Sequence, residues 1–322
     1  MTTLKWLVLV PLLFAARIAG AQATPEPAIP ATPAKVIVGV YVNHITGVDI
    51  KNNKFEVDFY VWFRWDGDDL KPLDTFELVN GRITSKTAVV KRVVNGHNYQ
   101  SARILATITK FWNLKRFPLD GHTLRLEIED TDRDARQAVY EGDAENATVS
   151  DDVRVPGFVI AATHGKTQIH TYHTNYGDPS QPRGRESSWS RYIFEIEIER
   201  PNIGRFIKVF FGLFIAVLIS WCAFHVRPKE SSPRVSLGVG ATFAAAAVTV
   251  AINSNLPDTN DVMLADKLVM LSLGIILASV IETIVALWLN AHGKEATQQR
   301  LDKICAIAFP VFYIVMFVII VA

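Results

Sequence analysis

Five side chains of the run 234–253, RVSLGVGATFAAAAVTVAIN, fall on one helical seam: Ser236, Gly240, Phe243, Ala247 and Val250 recur at intervals of four, three, four and three. The run is long enough to cross a hydrocarbon core of about 30 Å. Its seam grades from a hydroxyl, through a glycine and one bulky ring, to an apolar upper half. Copies of such a seam around a water-filled axis would pass ions through a hydrophobic constriction that gates by dewetting. Small residues equally suit a helix buried in an ordinary four-helix membrane bundle, and the run by itself leaves both readings open. Covalent chemistry finds no foothold. The eight histidines are scattered, and no nucleotide loop, metal-spaced His/Cys cluster or nucleophile motif occurs.

The elements that must carry this seam follow from composition and pattern. A chain of 322 residues that is 49% hydrophobic and carries a net charge of +1 is too apolar for a soluble globule and too charged for an all-membrane protein. The near-neutral charge gives no reason to expect a nucleic-acid partner. Cys222 and Cys305 sit inside apolar segments and read as small core residues. Residues 1–21 read as an export signal, with Lys5 before an apolar run and Ala19-Gly20-Ala21 as the cleavage site. Residues 22–34 form a Pro/Ala-rich spacer. From 35 to 201 short strands alternate with turn signals, the pattern of an all-β, immunoglobulin-like antiparallel sandwich. In KFEVDFYVWFRW the residues Phe55, Val57, Phe59, Val61, Phe63 and Trp65 face the core. The opposite face is unusually aromatic, so Tyr60 and Trp62 either meet a neighbouring subunit or line a ligand site.

Past Pro201 four apolar runs follow, 206–226, 234–253, 262–290 and 304–322, each long enough to span a membrane. Residues 202–322 thus read as an all-α four-helix transmembrane domain. Basic residues lie in Arg227-Pro228-Lys229 and in the linker 294–303, while Asp258 and Asp261 lie in the loop 256–261. The positive-inside rule puts the basic loops in the cytoplasm and the sandwich outside, in a multi-pass protein of the plasma (inner) membrane with a periplasmic or extracellular N-terminal domain.

On this architecture the segment 111–126, FWNLKRFPLDGHTLRL, resembles the signature loop of the pentameric ligand-gated ion channels, the Cys-loop receptor superfamily, through Phe117-Pro118-x-Asp120. Lys110 and Leu124 occupy the places of the bridging cysteines, so the chain is similar to a bacterial branch without that disulfide. Trp65-Asp66, Arg200, Ser220-Trp221, Asn255-Leu256-Pro257, Val280-Ile281-Glu282 and Ile307-Ala308-Phe309-Pro310 add matches in the same order along the chain.

The resemblance implies a homopentamer in membrane lipid, with the seam of Ser236, Gly240, Phe243, Ala247 and Val250 facing the lumen. It also implies that Asp120 and Arg200 meet beside the loop carrying Pro257 and couple the two domains. The agonist site would lie at subunit interfaces, with Phe76, Glu77, Tyr172, Tyr176 and Trp189 on the principal face and Tyr60 on the complementary face. Thr131-Asp132-Arg133 replaces the family's aromatic there, so an amine and a polar or acidic agonist contacting Arg133 are both allowed. Protons are a competing stimulus, with His44, His97 and His122 as titratable groups. Inorganic ions are the permeant species. Pro233-Arg234 looks like the anion-selective pattern, whereas Glu230, Asp258, Asp261 and the likeness to bacterial members favour cations slightly. No enzyme activity, cofactor or metal is expected. A non-conducting membrane-tethered receptor is the alternative of another class, and the short inner loops give it almost no effector.

Overall fold

Alternation of apolar and polar side chains builds the first sheet. Strand β1 (Ala34–Asp49) pairs antiparallel with β2 (Lys54–Trp65), where Phe55, Val57, Phe59, Val61, Phe63 and Trp65 are all at most 5% exposed. A one-residue slip would turn all six outward, which pins the register. A computed structural model describes residues 32–67, 70–177, 186–200, 203–227, 231–254 and 256–322. The expected export signal and most of the spacer, together with Pro228, Lys229, Glu230 and Asn255, lie outside the described residues.

A one-turn helix, α1 (Pro72–Thr75), leads into the short strand β3 (Phe76–Leu78), which belongs to the second sheet. Strands β4 (Gly81–Val94) and β5 (His97–Thr109) extend the first sheet beyond β2. Then β6 (Gly121–Asp130) returns to the second sheet, and β7 (Ala138–Gly142) and β8 (Thr148–Val149) pair with β1. Both of these run parallel to β1, unlike the wholly antiparallel sandwich expected from the turn signals. The reason is that β7 follows a strand of the opposite sheet, and such a crossover, unlike a tight hairpin, permits a parallel pair. Strands β9 (Val159–Tyr172) and β10 (Ser187–Glu199) complete the second sheet in the order β3-β6-β10-β9. Phe63 packs on Phe76 at 5.5 Å and on Tyr140 at 6.1 Å between the layers.

Trp62 has partners within its own protomer. Its Nε1 donates to Asp143 at 3.0 Å, and its ring lies across Gly39, where any side chain would collide with it. The aromatic outer face of β2 is therefore partly explained inside one protomer.

Four helices follow: α2 (Ile203–Cys222), continued by a 3-10 turn (Ala223–His225), α3 (Ser231–Asn253), α4 (Leu264–Ala291) and α5 (Glu295–Val321). All four are long and apolar enough to cross a membrane. Of the linker expected at 294–303, residues 295–303 are helical and form the first turns of α5. Only His292, Gly293 and Lys294 separate α4 from α5; Gly293 is at φ 72°, with Lys294 N–H donating to Leu289 at 2.9 Å and Gly293 N–H to Asn290 at 3.1 Å. That is a Schellman C-cap, and the left-handed residue it needs is the glycine.

Close packing falls on glycines other than the one in the seam. A Cβ on Gly212 of α2 would come within 2.8 Å of Val248, and one on Gly238 within 2.8 Å of Val280 of α4, whereas one on Gly240 meets nothing. Gly212 thus serves α2–α3 approach as well as any flexibility. In α5, Pro310 supplies no N–H to the carbonyl of Ala306 four residues earlier. Trp221 Nε1 of α2 donates to that oxygen at 2.9 Å and pairs what the proline leaves open. Cys305 is buried, but Cys222 is exposed on the outside of the helices rather than in a core.

Candidate functional site

Helix α3 has two unlike faces. Ser236, Gly240, Phe243, Ala247 and Val250 are all exposed in the protomer, Phe243 at 72% and Val250 at 70%. The opposite face buries Arg234, Gly238, Ala241, Ala245 and Ile252 against α2 and α4. The hydroxyls of Thr242 and Thr249 bond back to the carbonyls four residues earlier, at 2.9 Å each, and leave no unpaired group on the helix flank. The free face is therefore the graded seam, uncharged from end to end.

Arg234, the one charged side chain of α3, points the other way. It is 0% exposed, with Nη2 at 2.8 and 3.0 Å from the two oxygens of Glu282 in α4 and at 2.7 Å from Asp302 in α5. Nη1 donates to Asp302 at 3.1 Å, and Gln298 also donates to Asp302. Two helices thus supply the anions that permit one buried guanidinium. Glu282 acts as the helix–helix partner its apolar setting implies. Asp302 and Gln298 escaped notice because their segment reads as a linker.

At the membrane end of the sandwich Arg200 Nε donates to Asp120 at 2.6 Å, although the two residues are 80 positions apart. Both side chains are 1% exposed. The Arg200 guanidinium lies 4.3 Å over the Phe158 ring and 5.4 Å over Phe117. His122 joins them, with Nε2 at 2.5 Å from Asp120. Burial alone would raise the Asp120 carboxyl; hydrogen bonds from His122 and Arg200 outweigh it and hold the group below the usual carboxylate range. The same region touches the α3–α4 loop: the Leu264 N–H donates to the Lys115 carbonyl at 2.8 Å, and Lys51 Nζ donates to the Ser254 carbonyl at 2.9 Å. Pro257 lies half-buried in that loop. Of the two positions read as cysteine equivalents, Leu124 is in the core and Lys110 is half-buried beside Trp112, where burial and then Arg125 pull its ammonium down to about 8.

A cavity of about 450 Å³ opens between β6 and the β9–β10 hairpin. Glu77, Tyr172, Tyr176 and Trp189 line it, joined by Glu129, Asp130 and Asp132. Its described lining thus carries four carboxylates and no basic side chain. Glu129 is 2% exposed and accepts from Arg191 Nε at 2.6 Å and from the Tyr172 hydroxyl at 3.0 Å. Burial, then the Glu129 charge, pushes the Glu77 carboxyl up. Burial followed by Glu129 pushes the Tyr172 phenol to about 12, so it stays a donor. Trp189 Nε1 is buried at the cavity and has no hydrogen-bond partner among the described residues. Tyr172 and Tyr176 meet edge to face at 5.6 Å.

Three expected residues are not in this lining. Phe76 is 6% exposed and faces the core, because β3 alternates and Glu77 takes the outward position. Arg133 lies in the loop after β6, its N–H donating to Asp130 at 3.1 Å, and Tyr60 lies on the other sheet.

Comparison with known proteins finds relatives among ion channels. No protein-family model matches the sequence. A proton-gated ion channel of Gloeobacter violaceus is 22% identical over 315 residues, which cover 90% of this chain and 83% of that protein. The gamma-aminobutyric acid receptor subunit rho-3 of Rattus norvegicus is 21% identical over 321 residues, 88% of this chain and 67% of the receptor. Subunit rho-2 of Homo sapiens is 22% identical over 224 residues, 68% of this chain. The chain spans about half of rho-2, 45% of its length. The chain is similar to members of the pentameric Cys-loop ligand-gated channel superfamily. Like its relatives it is not an enzyme, and its four apolar helices follow an extracellular β domain in a multi-pass membrane protein. Similarity to these channels supports a ligand-gated ion channel. Such a channel needs a pore face, a coupling contact and a ligand cavity. The pore seam follows from residue types and the coupling pair from family likeness; the acidic half of the cavity has no such signal, since Asp132 reads only as part of the segment that replaces an aromatic.

Proposed function

We propose that five copies of the chain form a cation-conducting channel in which α3 lines the pore, residues 35–201 receive the agonist and residues 202–322 conduct. The observation that carries this reading is the two-faced α3: its five seam residues are free in the protomer while the opposite face, Arg234 included, is packed away. Phe243 is the constriction, since five phenyl rings at one level exclude water over the narrowest part of the path. Asp120, Arg200 and the loop with Pro257 carry movement from the sandwich to α3.

The agonist is a small amine. Four carboxylates at the cavity, with the rings of Tyr172, Tyr176 and Trp189, suit an ammonium group, and Tyr60 of an adjacent copy would close the cavity from the other side. An acidic agonist would meet like charge. Proton gating is the second reading, favoured by the raised Glu77 carboxyl and by His122 set against Asp120. Planar-bilayer recording of the purified protein separates them: primary amines at fixed pH evoke sodium current if the amine reading holds, and pH steps without amine do so if protons are the stimulus. Silence to both, with assembled particles present, would remove the channel reading.

A further inference from the structure

Arg234 is the one charge on α3, and its ion pairs, like its place in the helical repeat with Gly238, Ala241 and Ala245, put it behind the seam. The α2–α3 connection lies on the side of the membrane away from the sandwich, so Ser231 and the first turn of α3 stand at the inner mouth. Within Ser231–Asn253 no other side chain is charged. The Arg234 donors are aimed at Glu282 and Thr283 (3.5 Å) of α4, at Asp302 of α5 and at the carbonyl of Val226 (3.4 Å) just past the 3-10 turn. We infer that Glu282 and Asp302 are positioning residues for ion selectivity, which keep the Arg234 charge out of the inner mouth by holding it behind the pore helix. This rests on α3 being the pore helix.

The physical reasoning concerns where the guanidinium goes when its anions are neutral. An unpaired guanidinium is strongly disfavoured in a packed membrane interior and moves to the nearest water. Two aqueous spaces are within reach of a side chain in the first turn of α3. One is a cavity of about 450 Å³ behind the cluster, lined by His225, Arg227, Lys303, Glu295 and Asp302. With Asp302 neutralised, its two permanent cations outnumber its one remaining anion and repel a third cation. The other is the inner mouth, which carries no charge from α3. Five guanidiniums arriving there would favour a passing anion over a cation by at least about tenfold in permeability. The two carboxylates lie on helices that do not touch the lumen, so they would set selectivity without contacting the ion.

The test uses a Phe243→Ala background, where relief of the constriction gives basal current and no agonist is needed. The chloride-to-sodium permeability ratio is read from reversal potentials in a sodium chloride gradient. Glu282→Gln with Asp302→Asn should raise the ratio at least about tenfold, and adding Arg234→Gln should return it to the parent value. Arg234→Gln alone should leave it unchanged, because the side chain is already outside the path. A ratio that Arg234→Gln alone moves several-fold, or a double variant that conducts with the parent ratio, overturns the inference while leaving the pore reading intact. If the double variant does not assemble, the Arg234→Gln result decides. Absence of any basal current from Phe243→Ala in assembled protein defeats the pore reading itself.

Discussion

Removing Asp120 should uncouple the two domains, and the structure gives the size of the effect. At 2.6 Å and an effective dielectric of about 20, the gross attraction between Asp120 and Arg200 is roughly 6 kcal/mol. The loss on truncating one partner is smaller, about 3–5 kcal/mol, since it measures a guanidinium left buried without its anion. Phe158, at 4.3 Å, retains part of the stabilisation, which favours the lower end of that range. Asp120→Ala is expected to cost about 3 kcal/mol per protomer, and Asp120→Ala with Arg200→Met less than the sum of the single changes by at least about 2 kcal/mol. Unfolding of the purified protein in detergent, followed by tryptophan fluorescence, gives the stability cycle; agonist-evoked current gives the functional one. Asp120→Ala should be silent while particles still assemble. There is also an acid limb. Because the folded carboxyl titrates below its ordinary range, its stabilisation is complete above the unfolded pKa and disappears as pH falls through the folded value. Strict additivity in the cycle, or a normal response from Asp120→Ala, would mean the pair is two independent charges and refute the coupling role.

Two further outcomes follow from other contacts. Trp221→Phe leaves the Ala306 carbonyl without a donor and should cost about 1–3 kcal/mol, but much less in a Pro310→Ala background, where residue 310 regains its N–H; equal costs in both backgrounds would show that the indole bond is incidental. Lys110 titrates near 8 in the fold against 10.5 in the unfolded chain, so the unfolded state binds more protons between those values and stability should rise with pH across that window. Lys110→Met should abolish this slope in a pH series of melting temperatures and stabilise the protein at pH 7 by at most about 3 kcal/mol.

Much of the architecture is legible because its signals are periodic. Period two in β2 gives a core face, and apolar runs of spanning length give α2 to α5. The seam of α3 is legible for the same reason, since a 3.6-residue repeat selects both its free and its packed face. What stays hidden is set by tertiary partners. Trp62 looks like a contact residue until Gly39 beneath it and Asp143 beside it are seen. Phe76 and Glu77 are neighbours, and only the pairing of β3 with β6 decides which of them faces the cavity. The linker 294–303 is polar enough to read as a loop, yet Arg234 makes Asp302 and Gln298 part of a buried cluster. The Asp120–Arg200 pair crosses 80 positions and follows from family likeness alone, whereas its third member, His122, has no local signature.

The most direct measurement is thiol accessibility along α3 in a Cys222→Ser background, which removes the exposed native thiol. With a charged, water-soluble reagent, Ser236→Cys, Ala247→Cys and Val250→Cys should be modified and lose conductance, while Ala241→Cys and Ala245→Cys, at positions 0% exposed in the native fold, should not react. Reaction at Ala241 and Ala245 with none at the three seam positions would contradict the account, because α3 would then turn its other face to water.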